Sequence, residues 1–312
     1  MTKFEAAILR NKLVQSIIMG SKHTVLPGFQ GLSLYNVTKF FVKEAKNTKL
    51  IECAAAVTYN FLMAMPPSFL FLFSLVPYLP LSNVEHTILQ TLHYVTPNEH
   101  AYKGISSFIV DFMHTRRRDV LSFGVLLVLF FSSNGIMGLM RSFDRSLAVE
   151  KKRSGLSRRW TAIKLTFVMM GVAVASLAVL VIQNKELNVI VLSVFHNITA
   201  VKLLSAIILV VISYCAISII YIYGPRLSNR FKFISPGAVL ATGLSILATS
   251  AFFFVVNNII NYNKIYGSIG SLIAFMVWVW LNTLVILIGY ELNVSILLGK
   301  ISTSKDVVRK KV

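Results

Sequence analysis

Acidic and charged side chains are in short supply. Of 312 residues only 12 are Asp or Glu, charged residues of both signs make up 14%, and there are two cysteines, six histidines and three tryptophans. So few charges cannot cover the surface of a soluble chain of this length, which excludes an ordinary cytosolic enzyme. Cys53 and Cys215 fall at or inside apolar stretches and supply neither a disulfide framework nor paired metal-ligand spacing, so both read as small packing residues. His86, His93 and His100 recur every seven residues, but Pro97 interrupts them and no close His pair exists, so no metal is expected. No G-x-S-x-G, H-x-x-x-H, Walker loop or G-x-G-x-x-G is present either. With no nucleophile beside a base, the expectation is a non-enzyme without catalytic residues or cofactor. Lys3, Arg10, Lys12 and Lys22 break up the first thirty residues before an apolar h-region can form, so insertion is expected to rely on a later, uncleaved helix.

What is abundant is hydrocarbon. Apolar residues make up 55% of the chain, and the mean hydropathy is +0.70. Six apolar runs lie near residues 54–80, 120–140, 162–183, 203–224, 235–261 and 271–299. Each approaches or exceeds the roughly 20 residues needed to cross a bilayer core about 30 Å thick. A spanning chain must satisfy its own backbone groups, and no alternating strand pattern is present, so the expected fold is all-α, a polytopic transmembrane bundle of six spans.

The basic excess, +19 overall, is one-sided. Eight Lys and Arg precede the first run, eight lie between the second and third, three between the fourth and fifth, and five follow the sixth, leaving seven of 31 for the other side. The positive-inside rule then puts both termini in the cytoplasm of a plasma (inner) membrane, although Arg116, Arg117 and Arg118 abut the second run on the outer side. Topology and attraction to anionic lipids account for the charge, so the partners expected are membrane lipids and not nucleic acid.

Three regions follow. Residues 1–50 form a basic cytoplasmic segment in which Leu34, Val37, Phe41 and Ala45 line one face of a helix, either interfacial or packed on the bundle's cytoplasmic end. Residues 51–299 carry the spans, with 81–119 as a helical outer loop, and 300–312 form a basic tail. Gly171-x-x-x-Ala175 and Gly237-x-x-x-Ala241 offer faces for close helix approach.

Polar features within hydrocarbon are the candidate sites, since such groups usually face the bundle interior or a hydrated cavity. Pro66-Pro67 should kink or break the first span and either shape a cavity or leave a plain bend. Asn134 and Arg141, seven apart on the second span, share a face; Arg141 and Asp144 are spaced to pair locally, or else to serve a gate or headgroup contact. Asn257, Asn261, Tyr262, Asn263, Lys264, Tyr266 and Gly267 form a dense polar stretch at the end of the fifth span and in the turn that follows, suited to a headgroup or to a hydrogen-bonded outer turn. Glu291, with Asn293 beside it, is a carboxylate inside an apolar run, expected to pair with Arg145 or Arg226 or to line a cavity.

Several of these segments together resemble the YihY/virulence factor BrkB family, formerly misnamed ribonuclease BN. The likeness covers roughly residues 50–299. It rests on Ala54-Ala55-Ala56-Val57-Thr58-Tyr59, on Asn134-Gly135 leading to Arg141-Ser142-Phe143-Asp144-Arg145, on the stretch from Tyr262 to Gly270, and on Glu291-Leu292-Asn293, with Trp278 and Trp280 between the last two. The resemblance implies a six-span inner-membrane protein described as a transporter or envelope factor, with no catalytic residues to carry over. The function expected is transport of an amphipathic envelope molecule such as a lipid. The alternative is a scaffold for envelope biogenesis; ribonuclease activity is not expected.

Overall fold

The computed structural model describes residues 19–22, 24–25, 27–75, 118–146, 154–182, 198–227, 230–258 and 270–309, with positions 89, 102–103, 106–107 and 109–110 between them. The expected loop histidines lie outside the described residues. The long elements are all helical: α1 (Leu34–Thr48), α2 (Leu50–Leu75), α3 (Arg118–Ser146), α4 (Gly155–Ile182), α5 (Ile198–Tyr223), α6 (Pro236–Asn258) and α7 (Gly270–Arg309). No strand occurs among the described residues. Helices α2 to α7 follow the six apolar runs in order. Within α3, α5, α6 and α7 the stretches Leu126–Ser146, Leu203–Tyr223, Pro236–Val256 and Leu272–Ile301 are long and apolar enough to cross a membrane.

Local chemistry sets the helix ends. Ser33 caps α1 by accepting from the Asn36 amide, and Lys49 adopts the left-handed conformation (φ 51°), so a single residue turns the chain from α1 into α2. Ser235 caps α6, accepting from the Ala238 amide, and Pro236 occupies the first helical position, where its missing N–H costs nothing. Helix α2 does not break at Pro66 and Pro67 but continues through both. Proline's fixed φ is compatible with helix, and the turns on either side hold the segment together. Pro66 is exposed and Pro67 half-buried.

Two helices run past their expected C-terminal limits. Helix α3 extends to Ser146, taking in the basic stretch from Arg141, and α7 continues to Arg309, so most of the expected tail is helical. Forty residues of α7 measure about 60 Å, twice a bilayer core. Helix α7 packs against α6, α1 and α2; α3 lies between α2 and α4; α5 bridges α4 and α6. Helix α1 docks on α7 through Val37, which is buried with Phe29, Leu32 and Ile296, so it packs on the end of the bundle.

A buried cluster lies at the basic end, where the C-terminus of α3 meets the C-terminus of α5, the start of α6 and the second half of α7. Phe143 stacks on Tyr290 with centroids 4.0 Å apart, and Tyr221 and Phe231 meet the Tyr290 ring edge-on at 5.8 and 5.9 Å. Tyr221 donates to the Ile286 carbonyl at 2.6 Å. Gly237 and Ala241 are buried against Gly289 and form a true helix seam, whereas Gly171 and Ala175 are exposed with nothing near Gly171. Away from this core the helices present Leu203, Ile207 and Val211 on α5, and Leu247, Phe253 and Phe254 on α6, to their surroundings. Apolar outward faces are what contact with acyl chains requires.

Candidate functional site

Helices α3 and α4 follow one another in the chain and pack together, with the arginines at the start of α4 beside the polar face of α3. Arg158 and Arg159 diverge there. Arg158 Nη2 donates to Asp144 Oδ2 at 3.0 Å, a pair about one-fifth exposed on both sides. Arg159 turns the other way: its Nη1 donates to Asn134 Oδ1 at 2.7 Å, Ser133 Oγ at 2.9 Å and the Phe130 carbonyl at 3.3 Å, while its guanidinium lies 4.3 Å from the Phe130 ring centroid. Asp144 and Asn134 are ten residues apart, about 15 Å along the helix. One arginine is therefore neutralised at the helix end, and its neighbour is carried inward to uncharged acceptors.

Arg141 stands on the same face of α3 as Asn134, exposed, and its charge acts on Arg159. The expected local pairing of Arg141 with Asp144 is not formed. Asp144 binds Arg158 from α4 instead, and Arg141 has no hydrogen bond or ion pair among the described residues. A carboxylate at i+3 competes poorly when an arginine from the next helix presents its fork directly.

Glu291 is buried, and its Oε1 accepts from Ser146 Oγ, the last residue of α3. This contact fixes its level at the basic end of the bundle and not in mid-span. Arg145, one expected partner, donates to Cys53 Sγ at 3.3 Å, and the Cys53 thiol donates to the Thr48 carbonyl at 3.4 Å. Asn293 is also buried: its Oδ1 accepts from the Gly237 amide at 2.8 Å and its Nδ2 donates to Ser235 Oγ at 3.0 Å. It thus completes the cap of α6 from a distant helix, satisfying a first-turn donor. Asn257 lies in the last turn of α6; its side chain, and Asn261, Tyr262, Asn263, Lys264, Tyr266 and Gly267, fall outside what is described.

Sequence reasoning missed two groups. Arg159 counted only as one basic residue among many; the clue was its place three residues before an apolar run, within reach of hydrocarbon. The other group joins α6 to α7: Trp278 Nε1 and Asn282 Nδ2 donate to Thr249 Oγ1 at 3.2 and 3.3 Å. An amide inside the sixth run, one turn from Trp278, was the available signal. Among the described residues no cluster of three or more His, Cys, Asp or Glu is placed to hold a metal.

The family model described as virulence factor BrkB matches residues 41–309, a span that takes in α2 to α7 and every side chain of the α3–α4 cluster. The chain belongs to the BrkB family. Among relatives, YfkH of Bacillus subtilis (strain 168), whose name calls it ribonuclease-like, is 30% identical over 248 residues, covering 77% of this chain and 87% of that protein. A UPF0761 membrane protein of Haemophilus influenzae (strain 86-028NP) is 23% identical over 264 residues, 84% of this chain and 95% of its own. A further UPF0761 membrane protein, from Chromohalobacter salexigens, is 25% identical over 251 residues, 78% of this chain and 58% of its own. No solved structure matches the chain. This BrkB-family chain is thus an integral membrane protein in which polar side chains join α3 to α4 and α6 to α7.

Proposed function

We propose that this BrkB-family protein crosses the plasma (inner) membrane six times with both termini in the cytoplasm and moves an amphipathic envelope molecule, a lipid, between leaflets, without catalytic residues or a cofactor. The supporting observation is Arg159, held on Ser133 and Asn134 beside exposed Phe130. A polar, cationic group set next to an apolar outward face suits a molecule with a charged head and hydrocarbon tails. The spans carry no ordered series of charges of the kind a proton relay uses, which favours lipid over ion. The lopsided basic count supports the orientation.

A non-transporting scaffold is the second reading. It is favoured by Glu291 and Asn293, which are buried in internal contacts with Ser146, Ser235 and Gly237. Ribonuclease chemistry is not proposed for this chain, because the described cluster offers arginines, amides, hydroxyls and a single carboxylate already paired with Arg158, on membrane helices.

The test is leaflet exchange of labelled lipid in liposomes holding the purified protein, compared with an Asn134→Leu, Arg159→Gln variant. Exchange well above protein-free liposomes, reduced in the variant, is the expected result. Exchange equal to protein-free liposomes would leave the scaffold standing.

A further inference from the structure

The chemistry left over at Arg159 narrows the ligand. A guanidinium carries five N–H donors. All three hydrogen bonds of Arg159 come from Nη1, so the edge formed by Nε and Nη2 engages nothing among the described residues. That edge is the planar fork that matches two oxygens of a phosphate or carboxylate. Its orientation is already fixed by Asn134, Ser133 and the Phe130 ring, so little side-chain entropy remains to be lost on binding.

The charge balance points the same way. Arg141 shares the face and makes no ion pair among the described residues, while Asp144 is taken by Arg158. Two cations on facing helices, with the nearby carboxylate already engaged, form an electrostatic arrangement that an anion completes. The surroundings are those of an amphiphile. Phe130 and Leu126 are exposed on successive turns of α3, running from Arg159 away from the basic end, and Trp160, next to Arg159, is exposed in the manner of an interfacial aromatic.

We propose that Arg141 and Arg159 hold the phosphate of an anionic phospholipid, Arg159 through its Nε–Nη2 edge, with the acyl chains lying along Phe130 and Leu126. The proposal rests on the lipid reading given above and adds to it a headgroup class and a place. Zwitterionic lipid is discriminated against because its own ammonium would stand beside two guanidinium groups.

The test titrates the purified full-length protein in detergent with phosphatidylglycerol or phosphatidylcholine and counts bound lipid by native mass spectrometry. Wild type should prefer phosphatidylglycerol. Losing a charge-assisted contact, Arg159→Gln or Arg141→Gln should weaken that lipid about tenfold or more and leave phosphatidylcholine unchanged. Arg159→Lys, which keeps the charge without the fork, should fall between. Arg141→Gln protects the test against misfolding, since exposed Arg141 makes no hydrogen bond or ion pair among the described residues. Arg230→Gln, at the exposed arginine over Tyr223, should bind as wild type does. Four results would overturn the site: no preference in wild type, equal loss in all three glutamine variants, loss at Arg159 alone, or displacement of the lipid by inorganic phosphate at constant ionic strength. A lipid preference that survives alongside absent leaflet exchange would sink transport and leave the binding site intact.

Discussion

Gly237 and Gly289 meet backbone to backbone: a Cβ added at Gly237 would fall 2.0 Å from the Gly289 carbonyl oxygen, and one at Gly289 would fall 2.5 Å from the Gly237 carbonyl oxygen. No flexible side chain stands between them to give way, so α6 and α7 approach at a distance only glycine permits.

Gly237→Ala should therefore cost about 3 kcal/mol or more, by forcing the two helices apart and pulling the Gly237 amide from Asn293. Gly171→Ala, with nothing within 4 Å of the added carbon, should be neutral or stabilise by up to about 1 kcal/mol through helix propensity. Unfolding midpoints in detergent would check both. A Gly237→Ala protein as stable as wild type would contradict the seam.

The ion pair that crosses from α3 to α4 is separable from its neighbour. A double-mutant cycle on Asp144→Asn and Arg158→Gln should show a coupling of about 1 kcal/mol, between exposed and fully buried pairs. The corresponding cycle on Asp144 and Arg141 should show none. Coupling to Arg141 in place of Arg158 would restore the local pairing read from sequence.

Asn293 joins two helices through one amide. Asn293→Leu should destabilise by about 1 to 3 kcal/mol, since it leaves the Gly237 N–H without its acceptor and takes from Ser235 Oγ one of its two donors, the Ala238 amide remaining, in a site closed to water. Hydrogen exchange at the start of α6 should rise more than exchange in α5. Uniform change across the bundle would mean that the residue does not act as a cap.

The chain's order of elements was legible because hydrocarbon length and basic punctuation are one-dimensional properties: six runs became α2 to α7, and the spacing of Leu34, Val37, Phe41 and Ala45 became α1. The proline break was not borne out, since a fixed φ suits helix even where a donor is missing. Asn134 was visible as a polar residue within a span, but its partner was not. Which of two consecutive arginines turns toward the helix end and which toward Asn134 depends on the rotation of α4 against α3, and no spacing rule encodes it. The same holds for Asn293, which reads as one amide in an apolar run and gains its role only from Gly237, fifty-six residues earlier in the chain. Sequence by itself determined which stretches are apolar enough to form membrane helices and where along the chain the basic residues cluster, since both are properties that act residue by residue. Tertiary structure alone decided which polar groups satisfy one another and which guanidinium edge meets no partner among the described residues, because those outcomes depend on distances between helices that the chain order does not contain.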